Sequence, residues 1–261
     1  MAFTIDSSSI YLSCSVGFCL GRTLHGSTPD ALIEKAEIAL EEARSHGEGA
    51  IRSYSVELGQ SVARRHELIE EVRDAFENDE IQPWFQPQVS TDTGDIVGFE
   101  ALARWRHTER GMIPPADFLD AIEHAGLMPH LAQTMLRKSL TALAAWDAEG
   151  LKIQTIGVNF SGEELRDPKL PDKVKWELDR LELSADRLTI EVLETVVANT
   201  ENDTITRNIS TLARLGCLID LDDFGTGNAA IANIRRFAVN RLKIDRSFVT
   251  NVDSDRNQQN K

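Results

Sequence analysis

Strand-like runs alternate with amphipathic helical segments along the second half of this chain, and this alternation constrains the fold more than any other feature. The strand-like runs are TIGVNFS, RLTIEVLE, CLIDLDDF and VNRLKIDRSF. The helical segments around them are PADFLDAIEHAGL, PHLAQTMLRKSLTALAAWDAEG, PDKVKWELDRL and DTITRNISTLARLG. Strands connected through helices run parallel, so the pattern predicts an α/β fold of the barrel or doubly wound type, and we favour a barrel.

Two earlier strand-like runs predict a different pairing. IQPWFQPQV and DIVGFEALARW are separated only by the polar turn STDTG. A turn of this length cannot carry the crossover that parallel strands need. We therefore expect the first strand of the sheet to pair antiparallel with the second.

The N-terminal part follows its own pattern. IYLSCSVGFCL predicts a strand, and STPDALIEKAEIALEEARSHGEG predicts a helix capped by Thr28 or Asp30. A second amphipathic segment, from about residue 60 to 78, has Leu68, Ile69, Val72 and Phe76 on one face. These patterns predict a small α/β part over residues 1–54, a connecting helix within 55–80 and a main domain over 81–261.

The charge balance narrows the class of partner. The 261 residues carry 28 basic and 42 acidic side chains, a formal net charge of -14, which disfavours a nucleic-acid polymer or an anionic membrane as partner. No apolar run approaches the roughly 20 residues of a membrane span, and the first residues lack a signal-peptide pattern. Cys14, Cys19 and Cys217 lack the spacing of metal ligands. We therefore expect a cytoplasmic protein with reduced, structural thiols.

One face of DIVGFEALARW carries both a carboxylate and a guanidinium. Residues two apart in a strand share a face, so Glu100, Leu102 and Arg104 point the same way. They could line a functional cavity, form an internal ion pair or lie on a solvated face. This segment alone leaves the three alternatives open.

Polar residues interrupt or end the four later strands. They are Asn159, Glu191, Asp222 with Asp223, and Lys243 with Asp245. In a β/α barrel the functional groups lie at the C-terminal ends of several strands. Converging carboxylates would repel one another without divalent cations, and all-oxygen ligands suit Mg²⁺ or Mn²⁺. We predict a two-metal site, in which one of the adjacent aspartates bridges two ions. Lys243 would hold or deprotonate a water there, unless it is a surface lysine.

The motifs EALARW, VNFS, IEVLE, LDDFGTG and LKIDRSF together resemble, in order and spacing, the EAL family of cyclic di-GMP phosphodiesterases. The resemblance extends from about residue 62 to the C-terminus. It implies a modified TIM barrel with an antiparallel first strand. It also implies hydrolysis of one phosphodiester of cyclic di-GMP to linear pGpG, in bacterial second-messenger signalling.

The resemblance assigns a role to each matching residue. It implies that Glu100, Asn159, Glu191 and Asp222 hold one metal ion and that Asp222 and Asp223 face a second, with Glu100 and Asp223 in the catalytic set. It implies that Lys243 positions the water. Gln86, Leu102 and Arg104 would hold the dinucleotide, Glu194 would steady the loop after LDDF, and Asp245 would support the site.

The first 54 residues resemble, less specifically, the last part of a GGDEF diguanylate cyclase domain. SCSVGFC matches its late strand and DALIEKAEIALEEARSHGEG its terminal helix. The signature loop of that family is missing from these residues, and Glu42 and Arg44 stand where it typically has Tyr and Lys. Cyclase activity is therefore not expected.

Two departures from the EAL pattern bear on activity. The sequence ends at NVDSDRNQQNK, before the last two strands of the family barrel, which carry a metal-binding glutamate and a substrate-binding glutamine. Asn228, Ala229 and Ala230 replace the usual Tyr-Ser-Ser. These departures leave three alternatives: an active phosphodiesterase, a cyclic di-GMP sensor or interaction module without turnover, or a chain that is not stable by itself. The resemblance does not predict whether this chain forms the homodimer of the family, because the dimer surface involves a helix near this end of the sequence.

Overall fold

The computed structural model describes residues 2–5, 8–21, 28–45, 47, 49–198, 203–225 and 237–250. The strands are β1 (Ala2–Ile5), β2 (Ser8–Tyr11), β3 (Val16–Phe18), β4 (Ile51–Ser53), β5 (Ile81–Val89), β6 (Ile96–His107), β7 (Gly111–Ile113), β8 (Thr155–Phe160), β9 (Leu188–Leu193), β10 (Leu218–Phe224) and β11 (Arg241–Ile244). The helices are α1 (Pro29–Ser45), α2 (Val56–Glu77), α3 (Leu119–His124), α4 (Met128–Ala148), α5 (Gly162–Leu165), α6 (Leu170–Arg180), α7 (Glu194–Ala198) and α8 (Asp203–Leu215). The chain divides into two compact units, residues 1–71 and 72–261.

The first unit contains a β-α-β arrangement. β3 and β4 pair in parallel, and α1 connects them. Gly17 in β3 permits close packing of this helix, because a Cβ at that position would collide with the backbone of Ala36 and Leu40. The Thr28 hydroxyl accepts a hydrogen bond from the Ala31 N–H at 3.3 Å, which confirms one of the two predicted caps.

The run IYLSCSVGFCL differs from the expected single strand. It is divided between β2, which pairs antiparallel with β1, and β3, which pairs with β4. One apolar run thus serves two separate sheets. Periodicity cannot reveal such a division, because it reports which residues are apolar and not which strand lies beside them.

The second unit is built on a mixed sheet. Its strand order is β11-β10-β9-β8-β6-β5, with β7 paired to β6. β5 runs antiparallel to β6, and the pairs from β6 through β8, β9 and β10 to β11 are parallel. Both predicted pairings are therefore confirmed. Over the described ranges β5 and β11 are the outermost strands, so the sheet is not closed into a barrel there.

Burial explains the arrangement of helices on this sheet. The middle strands β8 and β9 are buried along most of their length, as expected for parallel strands covered on both faces. α8 buries Ile205, Ile209 and Leu212, which lie on one side of the helix. None of the helices in the described ranges is both long enough and apolar enough to span a membrane.

The three cysteines are free thiols. Cys217 is buried at the start of β10, and burial raises the pKa of its thiol to about 12. A thiol with that pKa stays protonated and unreactive at neutral pH.

Candidate active site

Five adjacent strands bring polar side chains to one end of the sheet. They are Glu100 on β6, Asn159 on β8, Glu191 on β9, Asp222 on β10 and Lys243 on β11. The register places Asn159 beside Glu191, while Glu100 lies beside Gly157. Because the carboxyl ends of parallel strands meet at one edge, residues far apart in sequence converge there.

The Lys243 ammonium lies among three carboxylates. Its Nζ donates to Glu100 Oε2 at 2.7 Å, to Glu191 Oε2 at 2.9 Å and to Asp222 Oδ2 at 2.9 Å. The Asn159 amide donates to the other oxygen of Glu100 at 3.1 Å. One lysine therefore orients three acidic side chains from three strands.

Glu191 is the most enclosed member of this group. Its side chain has 0% exposure, and its Oε1 has no hydrogen-bond partner among the described residues. Gly157 on the neighbouring strand provides the space, because a Cβ there would collide with this oxygen. A buried carboxylate oxygen without a donor is costly unless a cation or a proton is bound to it.

Burial and charge shift the pKa values of these groups in opposite directions. Burial, together with the charges of Glu100 and Asp222, raises the pKa of Glu191 to about 8, although Lys243 opposes this shift. Burial alone would raise the pKa of Glu100, but the hydrogen bond and charge of Lys243 outweigh it and the pKa is lowered. For Lys243, burial favours the neutral amine, but the neighbouring carboxylates raise its pKa above the ordinary value.

The paired aspartates occupy an irregularity at the end of β10. The register with β11 shifts between Leu221 and Phe224, and Asp223 has a left-handed backbone with a φ of 52°. Its N–H donates to Asp222 Oδ1 at 2.8 Å. Burial, and then the charges of Asp222 and Asp245, raise the pKa of Asp223. The bulge therefore keeps two consecutive aspartates near the site, although a regular strand would point them to opposite faces.

The loop after β10 is anchored by Glu194. This side chain is 2% exposed, and its Oε2 accepts a hydrogen bond from the Gly225 N–H at 2.6 Å. Gly225 has a φ of 101°, a conformation that favours glycine. The replaced triplet at 228–230 lies outside the described residues.

The remaining predicted residues are Gln86, Leu102, Arg104 and Asp245. Among the described residues, no hydrogen bond joins their side chains to the three carboxylates. Gln86 faces Glu100 across the β5–β6 pair, and Leu102 follows on the same face. Arg104 donates to the backbone carbonyl of Ala103 at 2.8 Å. Asp245 accepts from the Ser247 N–H at 2.9 Å and so begins a short 3-10 turn after β11.

Sequence reasoning missed the ion pair that underlies the site. Asp220 is 1% exposed, and its carboxylate accepts from Arg241 Nε at 3.0 and 3.1 Å. Asp220 and Arg241 lie two positions before Asp222 and Lys243 on the same strands. Residues two apart share a face of a strand, so this spacing could have indicated that the ion pair lies beside the site. The role of Gly157 was not predicted either, although a glycine inside a strand often marks a site where another group approaches the backbone closely.

The donor set fits a divalent cation. One oxygen from each of Glu100, Glu191 and Asp222 lies within 4.8 Å of the others. When these carboxylates and the Lys243 ammonium are all ionised, two negative charges are uncompensated, which matches one divalent ion. The ligand atoms are all oxygens, and one of the three carboxylates is that of Glu191, whose Oε1 has no hydrogen-bond partner among the described residues.

Several known proteins resemble this chain in sequence or in fold. A signalling protein of Caulobacter vibrioides is 35% identical over 91% of this chain and 29% of its own length. The cyclic di-GMP phosphodiesterase PdeR of Escherichia coli is 32% identical over 97% of this chain and 38% of its own length. The solved PaMucR phosphodiesterase in complex with c-di-GMP has a TM-score of 0.69 and 30% identity, over 74% of this chain and 78% of that one.

The chain therefore spans less than two fifths of the length of the two curated relatives. Residues 69–260 match the family model of the EAL domain. This range contains each strand that contributes to the carboxylate cluster. The chain belongs to the EAL domain family, whose solved members have a TIM-barrel-like α/β fold.

Proposed function

We propose that this chain is a cyclic di-GMP phosphodiesterase that hydrolyses one phosphodiester to give linear pGpG. The observation that carries the proposal is the convergence of Glu100, Glu191 and Asp222 around Lys243 at the strand ends. PdeR, which is a cyclic di-GMP phosphodiesterase, is similar over 97% of the chain. The PaMucR structure holds c-di-GMP on a similar fold.

Glu100, Asn159, Glu191 and Asp222 would hold one divalent ion, and Asp222 with Asp223 would face a second, with Mg²⁺ or Mn²⁺ as the expected ions. Two ions there would supply an activated water as nucleophile and neutralise negative charge that develops on the phosphodiester. The bulge at Asp223 and the buried Glu191 oxygen support this assignment.

Lys243 acts as a charged donor in this proposal. Its raised pKa keeps the amine protonated at neutral pH, so it can donate to a water or a phosphate oxygen but cannot accept a proton. Arg104 and Gln86 share the face that holds Glu100. A guanidinium there suits a phosphate oxygen, because guanidinium and phosphate form charge-assisted hydrogen bonds.

The test is incubation of the 261-residue chain with cyclic di-GMP and Mg²⁺ or Mn²⁺, with products separated by chromatography. We expect linear pGpG from the wild type and from Glu163→Gln, a matched change of an exposed glutamate on α5. Glu100→Gln should lose more than the roughly ten- to hundredfold typical of residues that only support a metal ligand.

The same assay, together with measurements of cyclic di-GMP binding and of thermal unfolding, separates the alternative functions. Binding of cyclic di-GMP by a folded wild-type chain without product would overturn the enzymatic proposal and favour a sensor or interaction module. Lack of a cooperative thermal transition would instead show that the chain is not stable by itself. Equal product from Glu100→Gln and wild type would show that Glu100 has no part in the proposed mechanism.

We further propose that residues 1–54 derive from the end of a GGDEF domain and that residues 55–80 form a connecting helix and the start of the EAL domain. The parallel β3–β4 pair joined through α1 supports the first part of this proposal. α2, which covers Val56–Glu77, supports the second.

A further inference from the structure

Trp84 has an environment unlike that of the tryptophans with structural roles. Trp105 is 1% exposed, and its indole N–H donates to Glu80 at 2.9 Å. Trp146 packs edge-on against Phe85 at 4.8 Å between ring centroids. Trp84, in contrast, is 53% exposed on β5. An exposed indole leaves a flat apolar ring available for contact with a ligand.

The register of β5 and β6 places Trp84 on the face that carries the site. Trp84 lies opposite Leu102, and Gln86 lies opposite Glu100. Directly opposed residues of an antiparallel pair project to the same face, and so do residues two apart in one strand. Since Glu100 points into the carboxylate cluster, Trp84 and Leu102 project to the same side of the sheet.

The position along the strands is also informative. β6 runs parallel to β8, so its later residues lie nearer to the mouth where the strand ends meet. Leu102 and Trp84 are therefore one step, roughly 6.6–6.8 Å, further toward the mouth than Glu100 and Gln86. A phosphodiester at the carboxylates would have its nucleoside at about this level.

We propose that Trp84 is a specificity-determining residue that stacks on a purine base of the dinucleotide, with Leu102 completing the apolar surface. The proposal rests on the proposed function of the site. An aromatic ring binds the flat face of a base, and the larger face of a purine gives more contact than a pyrimidine. The carboxylates and Arg104 engage only the phosphodiester, so they cannot distinguish one base from another.

The experiment is a tryptophan-fluorescence titration of the full chain with a non-hydrolysable phosphorothioate analogue of cyclic di-GMP, in the presence of Mg²⁺. Isothermal titration calorimetry gives the affinity of every variant, including those that lack the Trp84 fluorophore. The variants are Trp84→Ala and Trp84→Phe. Matched controls are Trp176→Ala and Trp176→Phe, because Trp176 is 61% exposed but lies on α6. Circular dichroism and thermal melting of each variant establish that it is folded.

We expect the purine analogue to quench wild-type fluorescence and to quench Trp176→Phe equally, whereas Trp84→Phe should lose most of the quenching. Trp84→Ala should weaken binding roughly ten- to a hundredfold, and Trp84→Phe, which keeps a ring, should restore most of the affinity. The corresponding di-uridine analogue should lose less affinity in Trp84→Ala than the purine analogue does. A purely structural tryptophan would not produce this dependence on the base.

Trp84→Ala binding as tightly as Trp176→Ala would overturn the stacking proposal, and so would an equal loss for purine and pyrimidine analogues. Failure of every variant and of the wild type to bind would overturn both this proposal and the proposed function. Wild-type binding with the expected Trp84 dependence, but without hydrolysis of cyclic di-GMP, would leave the stacking role supported and overturn only the phosphodiesterase activity.

Discussion

At the scale of single residues, the site depends on the neighbours of the three carboxylates as well as on the carboxylates themselves. Gly157 makes room for the Glu191 carboxylate, and Asp220 holds Arg241 below the site. Lys243 balances part of the charge of three carboxylates. The chemistry of the cluster is therefore set by its immediate neighbours as much as by the acidic residues themselves.

Gly157→Ala tests this dependence without removing any acidic side chain. The new methyl group would collide with Glu191 Oε1, so we expect the carboxylate to move and Mg²⁺ affinity to fall roughly ten- to a hundredfold. Isothermal titration calorimetry measures the change. Gly162→Ala is the control, because its Cβ would meet atoms no closer than 3.6 Å. Equal affinities of the two variants would contradict the prediction.

The raised pKa of Glu191 predicts the pH dependence of stability in EDTA. The pKa is about 8 in the folded protein against an ordinary value of 4.5, so the folded state holds the proton more tightly than the unfolded state. Stability should therefore fall as the pH rises from about 4.5 through about 8. Urea unfolding between pH 5 and 9 measures this slope, and Glu191→Gln should reduce it.

Added Mg²⁺ should reverse the trend, because a cation binds the deprotonated carboxylate. The stabilisation by Mg²⁺ should grow with pH up to about 8, the folded pKa of Glu191. A slope that is the same in wild type and Glu191→Gln would show that other groups cause it.

At the scale of elements, strand ends and the first residues after them form the site together. β9 supplies Glu191, and Glu194 at the start of α7 holds the loop that follows β10. The bulge in β10 keeps Asp222 and Asp223 near one another. The geometry of the loop after β10 therefore depends both on β10 and on the residues that follow β9.

Glu194→Ala should destabilise the protein, because it leaves the Gly225 N–H without its 2.6 Å acceptor beside the site. We expect a loss of about 1–3 kcal/mol in the free energy of unfolding, and a smaller loss for Glu194→Gln, which keeps an acceptor. Urea denaturation gives both values. Glu163→Ala, a change at an exposed glutamate, should cost less than about 0.5 kcal/mol. A loss for Glu194→Ala no larger than that of this control would refute the anchoring role.

At the scale of the whole molecule, the sheet of the second unit has an exposed outer strand. β11 pairs with β10 on one side, and it is the last strand of the sheet within the described ranges. Leu242 and Ile244 on this strand are 45% and 63% exposed. Apolar outer strands with unpaired backbone groups favour pairing with another chain.

We therefore predict concentration-dependent association of the chain, measured by sedimentation velocity, and a reduction of this association in Leu242→Lys. A lysine on an outer strand opposes pairing, because its charge would have to be buried. Leu151→Lys is the matched control, since Leu151 is 49% exposed but lies outside the strands. Association that both variants reduce equally, or that neither reduces, would exclude β11 as the contact.

The sequence predicted the alternation of the main strands and helices in the second unit, the antiparallel first pair and most of the residues that converge on the site, but not the short strand β7. It could do so because alternation and turn length are local properties, and because polar residues at the ends of buried strands are conspicuous. Asn159, Glu191, Asp222 and Lys243 were predicted in this way, whereas Glu100 received its role only from the resemblance to the EAL family.

The contacts among these residues became evident only from the three-dimensional arrangement of the strands. Lys243 bonds to Glu100 across 143 positions of the chain, and Gly157 accommodates Glu191 from the neighbouring strand. The division of IYLSCSVGFCL between two sheets and the left-handed backbone of Asp223 also emerged only there. The physical reason is common to all of these: they depend on strand register and on neighbours distant in sequence, which local periodicity does not encode.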